Sequence, residues 1–527
     1  MTVAALCPAS AVPSDLDGGV LTRRGEKTTL DGAGRRRVVG TAVLLLALVG
    51  ALVLTMSAGH PAERASLIRW YALSWALFGA AVWTLRKVPA RQAVFLVVAG
   101  AVAVTATGLL APPTTSTDSY RYAWDGRVQA AGVSPYAYAP ADPALLPLRD
   151  RWLFPEGADC DFPYRYAVHS GPAARTCTLI NRPDVHTIYP PLAELYFLVV
   201  HRLAPEDGRY EAFQVGGALL AFGTSLVLLA TVRRRAADRV ADRVADRVVD
   251  GGAHRVACWA WCPAVPLEAV NNAHVDILGV LLTVAAMALL SRHKVRGGLL
   301  LGAATAVKFL PALALPGALS GFLATRGPSV RRRALGALAV VGPAVLVVAL
   351  AYLPYVLASR ASVLGYLFGY LNEEGYDDTS TGGARYALLR LVLPGAAALP
   401  AALVLLAVAA VLVLRRGDAD RPWRGALVVT GVAFLLFTPG YPWYALLVVA
   451  LVAFDGRWEW LGIPPAGAAA YLGVHEHVGT AAYAVAALAV VAGSVVRARR
   501  PLAAGTIMTG RRTTAWPGSG GQRRGGS

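Results

Sequence analysis

Charged residues are scarce in this chain of 527 residues. Asp, Glu, Lys and Arg make up 16% of it, whereas 56% of the residues are hydrophobic and the mean hydropathy is +0.50. A soluble globular protein carries about 25% charged residues, so this composition excludes an ordinary soluble protein. Lysine is rarer still, with only four residues, which are Lys27, Lys87, Lys294 and Lys308.

Cysteine is also rare, and the five cysteines show no spacing that is typical of a metal site. Cys258 and Cys262 lie in an apolar run and are interpreted as packing residues. Cys160 and Cys177 share a long polar segment, in which an oxidising compartment would permit a disulfide. The sequence leaves that pairing open.

Long apolar runs are what the chain has in abundance. Many of them approach the roughly 20 residues that are needed to cross a bilayer. The first run lies too deep in the chain to be a cleaved signal peptide. We therefore expect an all-α polytopic membrane protein with about 12–14 transmembrane helices. Residues 190–203 are predicted to form a helix lying at the membrane surface rather than a span.

The formal net charge of +18 reflects arginine clusters that separate the apolar runs. Placing these clusters in the cytoplasm gives loops that alternate consistently between inside and outside the cell, with both termini in the cytoplasm. The basic balance thus predicts topology and not a nucleic-acid partner. Apolar runs and charge pattern together divide the chain into regions. Segment 1–37 is predicted to be cytoplasmic and disordered, 38–111 to form transmembrane helices and 112–209 to form an extracytoplasmic loop. A central transmembrane region 210–395 carries a cytoplasmic ADRV repeat at 237–249, and it is followed by further transmembrane helices in 396–497 and a disordered cytoplasmic tail 498–527.

The polar residues that could take part in catalysis or binding collect in segments that this topology places outside the cell. A single such residue is equally well explained by a loop that is merely polar, but five segments converge on one face. We expect a site there built from Asp118, Tyr120, Arg121, Asp125, Tyr189, His274, Asp276, Glu373, Glu374, Arg385, Tyr441 and Trp443.

Lys308 stands apart from the other lysines because it lies inside an apolar stretch. The run 297–324 is flanked by basic residues at both ends, so it is predicted to form two short helices that meet near Lys308 and Pro311. An ionisable residue at that depth indicates a functional site, and a cation there suits a lipid phosphate. The alternative is a lysine that snorkels to the interface.

Six segments in order carry a resemblance to a known family. They are "TDSYRYAWDGRVQAAGVSPYAYAP", "NRPDVHTIYPPLAELYF", "NNAHVDILGVLLTVAAMALL", "GGLLLGAATAVKFLPALALP", "LNEEGY" with "GARYALLR", and "PGYPWYALL", within about residues 115–445. Together they resemble the bacterial polyprenyl-phosphate-mannose-dependent mannosyltransferases, which are integral-membrane glycosyltransferases of the GT-C fold (glycosyltransferase family 87). In many GT-C enzymes the acidic loop follows the first span, whereas here it follows the third.

The resemblance implies a lipid-linked sugar donor, polyprenyl-phosphate mannose, and a glycolipid or polysaccharide acceptor outside the cytoplasmic membrane. It implies direct transfer with inversion, an acid of the first large loop as base, and no metal or other cofactor. We expect Asp118 to be that base and Asp125, seven residues on and on the same helical face, to bind the acceptor. Lys308 and Arg385 are expected to bind the phosphate.

The remaining candidates have open alternatives. Tyr189, Tyr441 and Trp443 would pack on sugar or prenyl chain, or would anchor the interface, and His274 would position a substrate or be structural. Other classes also stay open: a GT-C enzyme for another lipid-linked sugar such as arabinose or glucose, a lipid or solute transporter, and a scaffold without catalysis. A transporter would favour polar groups on broken helices and internal repeats, and no repeat of one half of the chain in the other is visible here.

Overall fold

A computed structural model describes residues 32–58, 64–171, 175–205, 207–241, 252–325, 328–358, 363–376, 385–473 and 476–505. Most of the ADRV repeat, the N-terminal segment up to residue 31 and the tail from residue 506 lie outside these residues. The helices are α1 Gly32–Ser57, α2 Arg64–Leu85, α3 Ala90–Thr107, α4 Asp118–Ala130, α5 Pro191–Leu203, α6 Glu211–Ala241, α7 Ala253–Ala260, α8 Asp276–Leu289, α9 Lys294–Val307, α10 Leu315–Ala318, α11 Val330–Ala358, α12 Leu367–Glu373, α13 Ala387–Arg390, α14 Gly395–Arg416, α15 Pro422–Phe437, α16 Leu446–Asp455, α17 Ile463–Leu472 and α18 Glu476–Gly505.

The predicted all-α polytopic fold is confirmed. Within the described residues, seven helices are long and apolar enough to cross a membrane: α1, α2, α3, α6, α11, α14 and α18. A π-helix, Val265–Asn271, and α8 together form an eighth candidate span that is bent by 115°. The first helix begins at Gly32, inside the segment predicted to be disordered, and α6 runs on into the ADRV repeat.

Among the described residues, fewer helices are long and apolar enough to span than the expected 12–14, because several apolar runs form short helices instead. Between residues 253 and 325, and again between 422 and 472, no helix of the described chain exceeds 16 residues. Proline starts or interrupts several of these elements, as at Pro266, Pro311 and Pro442, because it cannot donate a backbone hydrogen bond. The short helices leave non-helical backbone at the level of the site.

Burial separates a central helix from peripheral ones. Residues 446–454 of α16 are all buried, as expected for a helix that is apolar on every side and lies at the centre of a bundle. In α11, by contrast, Val340 is buried, whereas Leu338, Val345 and Leu350 are more than half exposed. Apolar side chains exposed along a long helix fit contact with lipid, so the chain is a multi-pass membrane protein.

The segment between α3 and α6 folds as a small unit beside the bundle. Its helices α4 and α5 pack so closely that a Cβ on Gly126 would lie 2.5 Å from the Phe197 carbonyl oxygen. Its only strands among the described residues, β1 (Tyr166–Val168) and β2 (Thr176–Thr178), pair antiparallel. A disulfide joins Cys160 to Cys177, which resolves the pairing that the sequence left open. At 13 residues, α5 is shorter than a span.

Candidate active site

A polar pocket of about 410 Å³ opens where α4, the 181–189 segment, Lys308 and the 441–444 turn meet. Threonines and a serine of residues 114–117 form one wall, and tyrosines form much of the other. Side chains that the sequence singled out and that line it are Asp118, Arg121, Tyr189, Lys308, Tyr441 and Trp443.

Asp118 is the first residue of α4, where the helix dipole favours a negative charge. The loop that leads into α4 is held by two buried amides of the "NNAHVD" motif. The Asn272 Oδ1 accepts hydrogen bonds from the backbone N–H groups of Thr114, Thr115 and Ser116 at 3.0–3.3 Å, and Asn271 donates to the carbonyl of Ala111 at 2.9 Å. The motif therefore positions Asp118 through its own loop.

The backbone of that motif explains why the amides point there. The π-helix ends at Asn271, and Ala273 then adopts a left-handed conformation with φ 54° before α8 begins. π-helical turns and left-handed non-glycine residues concentrate at functional sites. The break at residues 272–275 directs Asn272 and His274 towards α4.

The Asp118 carboxylate has three polar neighbours. It accepts a hydrogen bond from Asn181 Nδ2 at 2.9 Å on Oδ1, and Oδ2 lies 3.5 Å from His274 Nδ1. Burial alone would raise the pKa of Asp118, but His274, Asn181 and the charge of Lys308 outweigh burial and lower it to about 2. The carboxylate is thus ionised across the physiological range.

His274 is fully buried and stacks on Trp443, with ring centroids 3.9 Å apart. Its other nitrogen, Nε2, lies 3.5 Å from the Glu268 Oε2. At 3.5 Å both contacts are at the outer limit of a hydrogen bond. Glu268 itself accepts a hydrogen bond from Asn272 Nδ2 at 3.2 Å. His274 thus lies behind Asp118 rather than in the pocket.

Lys308 lies where α9 ends, in extended backbone, as the run 297–324 predicts. Its ammonium donates to Asp276 Oδ2 at 2.7 Å and lies 4.8 Å from the ring centroid of Tyr444. Its side chain is 18% exposed, against 5% for Asp276. An ammonium has three donors, so donors remain for a ligand. We call Asp118, His274, Glu268, Asp276 and Lys308 the floor cluster.

An apolar cavity of about 360 Å³ adjoins the polar pocket at the floor cluster. The two cavities share Ile188, Tyr189, Lys308, Tyr370 and Tyr444 among their lining residues. The remaining lining is apolar apart from Tyr376, with Phe309, Leu310, Leu313, Leu367, Leu371, Leu406, Phe434 and Phe437 among its members. Lys308 is therefore a cation at the junction of a polar and an apolar cavity.

A second cluster of charged residues joins three segments of the chain beside the pocket. Arg182 donates to Glu373 at 2.7 Å and to Glu374 at 3.3 Å, while Glu374 also binds Arg385 and accepts from Tyr441 at 2.6 Å. We call these five residues the roof cluster. Hydrogen bonds from Tyr366 and Arg182 lower the pKa of the Glu373 carboxyl.

A glycine lets the backbone before α12, which carries Glu373 of the roof cluster, lie against the 181–189 segment. Gly365 has φ 54°, and a Cβ there would lie 1.7 Å from the Thr187 carbonyl oxygen. Only glycine fits such a contact. Arg385, which the sequence assigned to the phosphate, is 6% exposed, is bound by Glu374 and lines neither cavity.

Asp125 and Tyr120 also lie away from the pocket wall. Asp125 shares a helical face with Asp118 but is covered by α5, and Arg121 Nε binds both of its oxygens at 3.0 Å. Tyr120 packs edge-on against Trp152 and Tyr210. Arg121 lines the pocket, and its Nη2 has no hydrogen-bond partner among the described residues. Burial and the neighbouring Asp125 raise the pKa of Glu194.

Several residues of the site were not among the candidates from the sequence. Asn181 and Arg182 lie in the quoted "NRPDVH" segment, and the asparagines of "NNAHVD" were also quoted, so the motifs contained the signal. Glu268 had no such signal, because it lies three residues before that motif in an apolar run. Residues outside the predicted set that touch or support Asp118 and the pocket include Asn181, Arg182, Glu268, Asn271, Asn272, Tyr370, Tyr444 and Tyr471.

Fold and site together define a multi-pass membrane protein in which a polar pocket with a partly buried carboxylate adjoins an apolar cavity. Residues 187–439 match the family model described as glycosyltransferase family 87. The match supports a membrane glycosyltransferase of the GT-C-like type. It includes His274, Lys308 and the roof residues Glu373, Glu374 and Arg385, but it begins after Asp118 and ends before Tyr441. No curated protein and no solved structure matches the chain.

Proposed function

We propose that this protein transfers mannose from polyprenyl-phosphate mannose to a glycolipid or polysaccharide acceptor, with inversion at the anomeric carbon. The observation that carries the proposal is the position of Lys308 between the polar pocket and the apolar cavity. A polyprenyl-phosphate sugar has the same sequence of parts: a polar sugar, an anionic phosphate and an apolar chain. The ammonium would bind the phosphate between them.

Asp118 takes the role of general base in this proposal. Its Oδ2 faces His274, so Oδ1 is the oxygen that receives the proton of the acceptor hydroxyl while that hydroxyl oxygen attacks the anomeric carbon. The bond from the anomeric carbon to the phosphate oxygen breaks, and its electron pair stays on the phosphate. The proposal includes no metal or other cofactor.

Two cations would stabilise the leaving phosphate. Lys308 keeps donors free beyond its bond to Asp276, and a preorganised cation stabilises charge that develops in the transition state. Arg121 lines the same pocket, and its Nη2 has no hydrogen-bond partner within the described part of the chain, which makes it the second candidate. Arg385 is bound within the roof cluster and is assigned to loop closure instead.

We further propose that the protein lies in the cell membrane with both termini in the cytoplasm and the pocket outside. Arg151, whose side chain is 92% exposed, offers a labelling position in the 112–209 loop. An Arg151→Cys variant should react with a membrane-impermeant thiol reagent in intact cells. Reaction only after permeabilisation would reverse the orientation.

The activity is tested with purified protein in liposomes and radiolabelled polyprenyl-phosphate mannose, with a panel of lipid-linked mannosides as acceptors. Polyprenyl-phosphate glucose, polyprenyl-phosphate arabinose and a mannose nucleotide serve as competing donors. We expect transfer from polyprenyl-phosphate mannose alone. Transfer from another lipid-linked donor would show that the proposed sugar is wrong. Transfer from the nucleotide donor would refute the proposal that the donor is a lipid-linked sugar.

A transporter is the second candidate, and one feature favours it. The break between the π-helix and α8 carries Glu268, His274 and Asp276 near it, and transporters place their binding groups on broken helices. Liposomes loaded with acceptor distinguish the two functions. Movement of intact donor lipid between leaflets without a glycosylated product would support the transporter.

A further inference from the structure

His274 connects the proposed base to a second buried carboxyl group. The imidazole lies between Asp118 and Glu268, at 3.5 Å from one oxygen of each. The side chain of His274 is 0% exposed and that of Glu268 is 1% exposed. Neither ring nitrogen has a full hydrogen-bond partner among the described residues. Catalytic contacts of this length tighten in many enzymes when substrate binds.

Once the two contacts tighten to hydrogen bonds, they set the number of protons in this trio. An unprotonated ring nitrogen and an ionised carboxylate oxygen would face each other with lone pairs, which repel, so each contact needs one proton. With both contacts filled, the trio carries one net negative charge, wherever along each contact the proton rests. Loss of either carboxyl changes that balance inside a buried site, where uncompensated charge is costly.

We infer that His274 and Glu268 are positioning residues that act through Asp118: they orient its carboxylate, keep it ionised and balance its charge during transfer. The inference rests on the proposed function for its catalytic step. It assigns a role to Glu268, which lies outside the pocket and which neither the motifs nor the family match singles out.

The proton step balances within the trio. Asp118 Oδ1 takes the proton from the acceptor hydroxyl as the new glycosidic bond forms. The proton between His274 Nε2 and Glu268 then moves to the Glu268 carboxylate. The trio passes from one net negative charge to none, and no charged group remains unbalanced.

The surroundings hold the trio rigidly, as such a role requires. Asn272 fixes Glu268 from one side, and Trp443 stacks on the imidazole. Among the neighbours of Asp118, His274 also contributes most to lowering its pKa against the effect of burial. The charged and titratable groups that act on Asp118 or Glu268 from the neighbouring elements are His274, Lys308, Asp276, Tyr71, Tyr122, Tyr189 and Tyr471.

A spectroscopic titration tests the inference without any substrate. Infrared difference spectra between the wild-type protein and Asp118→Asn follow the protonation of Asp118 as the pH is lowered. The same difference between His274→Gln and the double variant follows Asp118 without its partner. We expect the protonation midpoint to rise by at least about one pH unit when His274 is lost, since a nearby charge partner shifts a carboxyl by that order. An unchanged midpoint would overturn the inference.

Kinetics test the same residues in turnover. His274→Gln should lower kcat by about 10- to 100-fold, a part of what a general base contributes, and leave both KM values within about twofold. Glu268→Gln should lower kcat less. His274→Gln in the Asp118→Asn background should cause no further loss, because the two act as one unit. An additive loss would indicate a merely structural role and refute the inference.

Controls separate this inference from the proposed function. His169 and Glu156 lie at exposed positions of the 112–209 loop, so His169→Gln and Glu156→Gln should behave as wild type. If the wild-type protein transfers no sugar from any lipid donor but the infrared midpoint shifts, the proposed function fails and the coupling of Asp118 to His274 stands. If transfer is normal and the midpoint does not shift, the opposite holds.

Discussion

The floor and roof clusters contain similar residue types but differ in how they are held. No side chain of the floor cluster is more than 18% exposed, and its members sit at the break in one candidate span and at the ends of two helices. In the roof cluster, Arg182 and Glu373 are each 38% exposed, whereas Arg385 and Glu374 are 6% and 10% exposed, and the cluster joins segments far apart in the chain. Exposed ion pairs stabilise by about 0–1 kcal/mol, whereas breaking a buried one costs about 3–5 kcal/mol. We therefore propose the chemistry for the floor cluster and a structural role for the roof cluster.

The largest effect is expected at the floor, from Asp118→Asn. The amide retains the volume and the bond to Asn181 but cannot accept the proton. General bases contribute about 10²- to 10⁴-fold, so transfer should fall by that order while donor lipid still binds. Steady-state transfer rates and donor binding in liposomes measure both. Undiminished transfer would remove the base from Asp118.

The next largest effect is on stability, and it is measured apart from transfer because Arg121 also lines the pocket as the second candidate for the phosphate. Arg121→Gln leaves Asp125 and Glu194 buried without their cation, so the free energy of unfolding should fall by about 3 kcal/mol. Burial first, and then the neighbouring carboxyl, raises the pKa of Glu194, and native stability is therefore lost as pH rises through that raised value. The deficit should therefore increase with pH, as thermal unfolding over a pH series measures.

Asp125→Asn is the matched control for that comparison. It leaves Arg121 with Glu194 as a remaining carboxylate, so its cost should be smaller, about 1 kcal/mol. If the two variants are equally destabilised and neither deficit depends on pH, Arg121 does not neutralise the pair.

Lys308 should show an intermediate effect, on donor binding and on the chemical step. Lys308→Met removes the cation at the junction of the cavities and should raise the donor KM by about 10-fold or more, as a hydrogen bond to a charged group contributes about 1.5–3 kcal/mol. It should also lower kcat, because the same cation stabilises the charge that develops on the leaving phosphate. Lys308→Arg should retain part of the activity, because charge is kept while geometry changes. Unaltered donor kinetics in the Met variant would make Lys308 a snorkelling residue.

The smallest effect is expected at the roof. Arg182→Gln removes two partly exposed ion pairs, so transfer should change by a few-fold, mainly through KM, and the change should shrink as salt screens the wild-type pairs. Transfer rates at low and high ionic strength measure this. A loss as large as that of Asp118→Asn would place Arg182 in the chemistry instead.

The same comparison shows what the sequence could predict. Lys308 was conspicuous because its charge interrupts an apolar run, and Asp118 because it follows one. Local patterns of this kind predict how deep a residue lies in the membrane and where a helix begins or ends. The motif "NNAHVD" was also visible, although the sequence did not show that its amides bind the loop before α4.

What the sequence could not predict depends on contacts between distant segments. Glu268 became part of the site through the 115° bend beside it, and no periodicity predicts that bend. Asp125 shares a helical face with Asp118, yet α5 covers one and not the other. The roof joins Arg182 to Glu373, 191 positions apart. The span count failed for a related reason, since short apolar helices and full spans have the same composition.

A structure of the Asp118→Asn variant with polyprenyl-phosphate mannose bound would test the central claim most directly. The account predicts the phosphate within about 4 Å of Lys308 Nζ, the distance of a salt bridge. The sugar should lie in the polar pocket beside residue 118, and the prenyl chain in the cavity lined by Phe309 and Phe437. A phosphate bound to Arg182 and Arg385 in the roof cluster, with the apolar cavity empty, would contradict it.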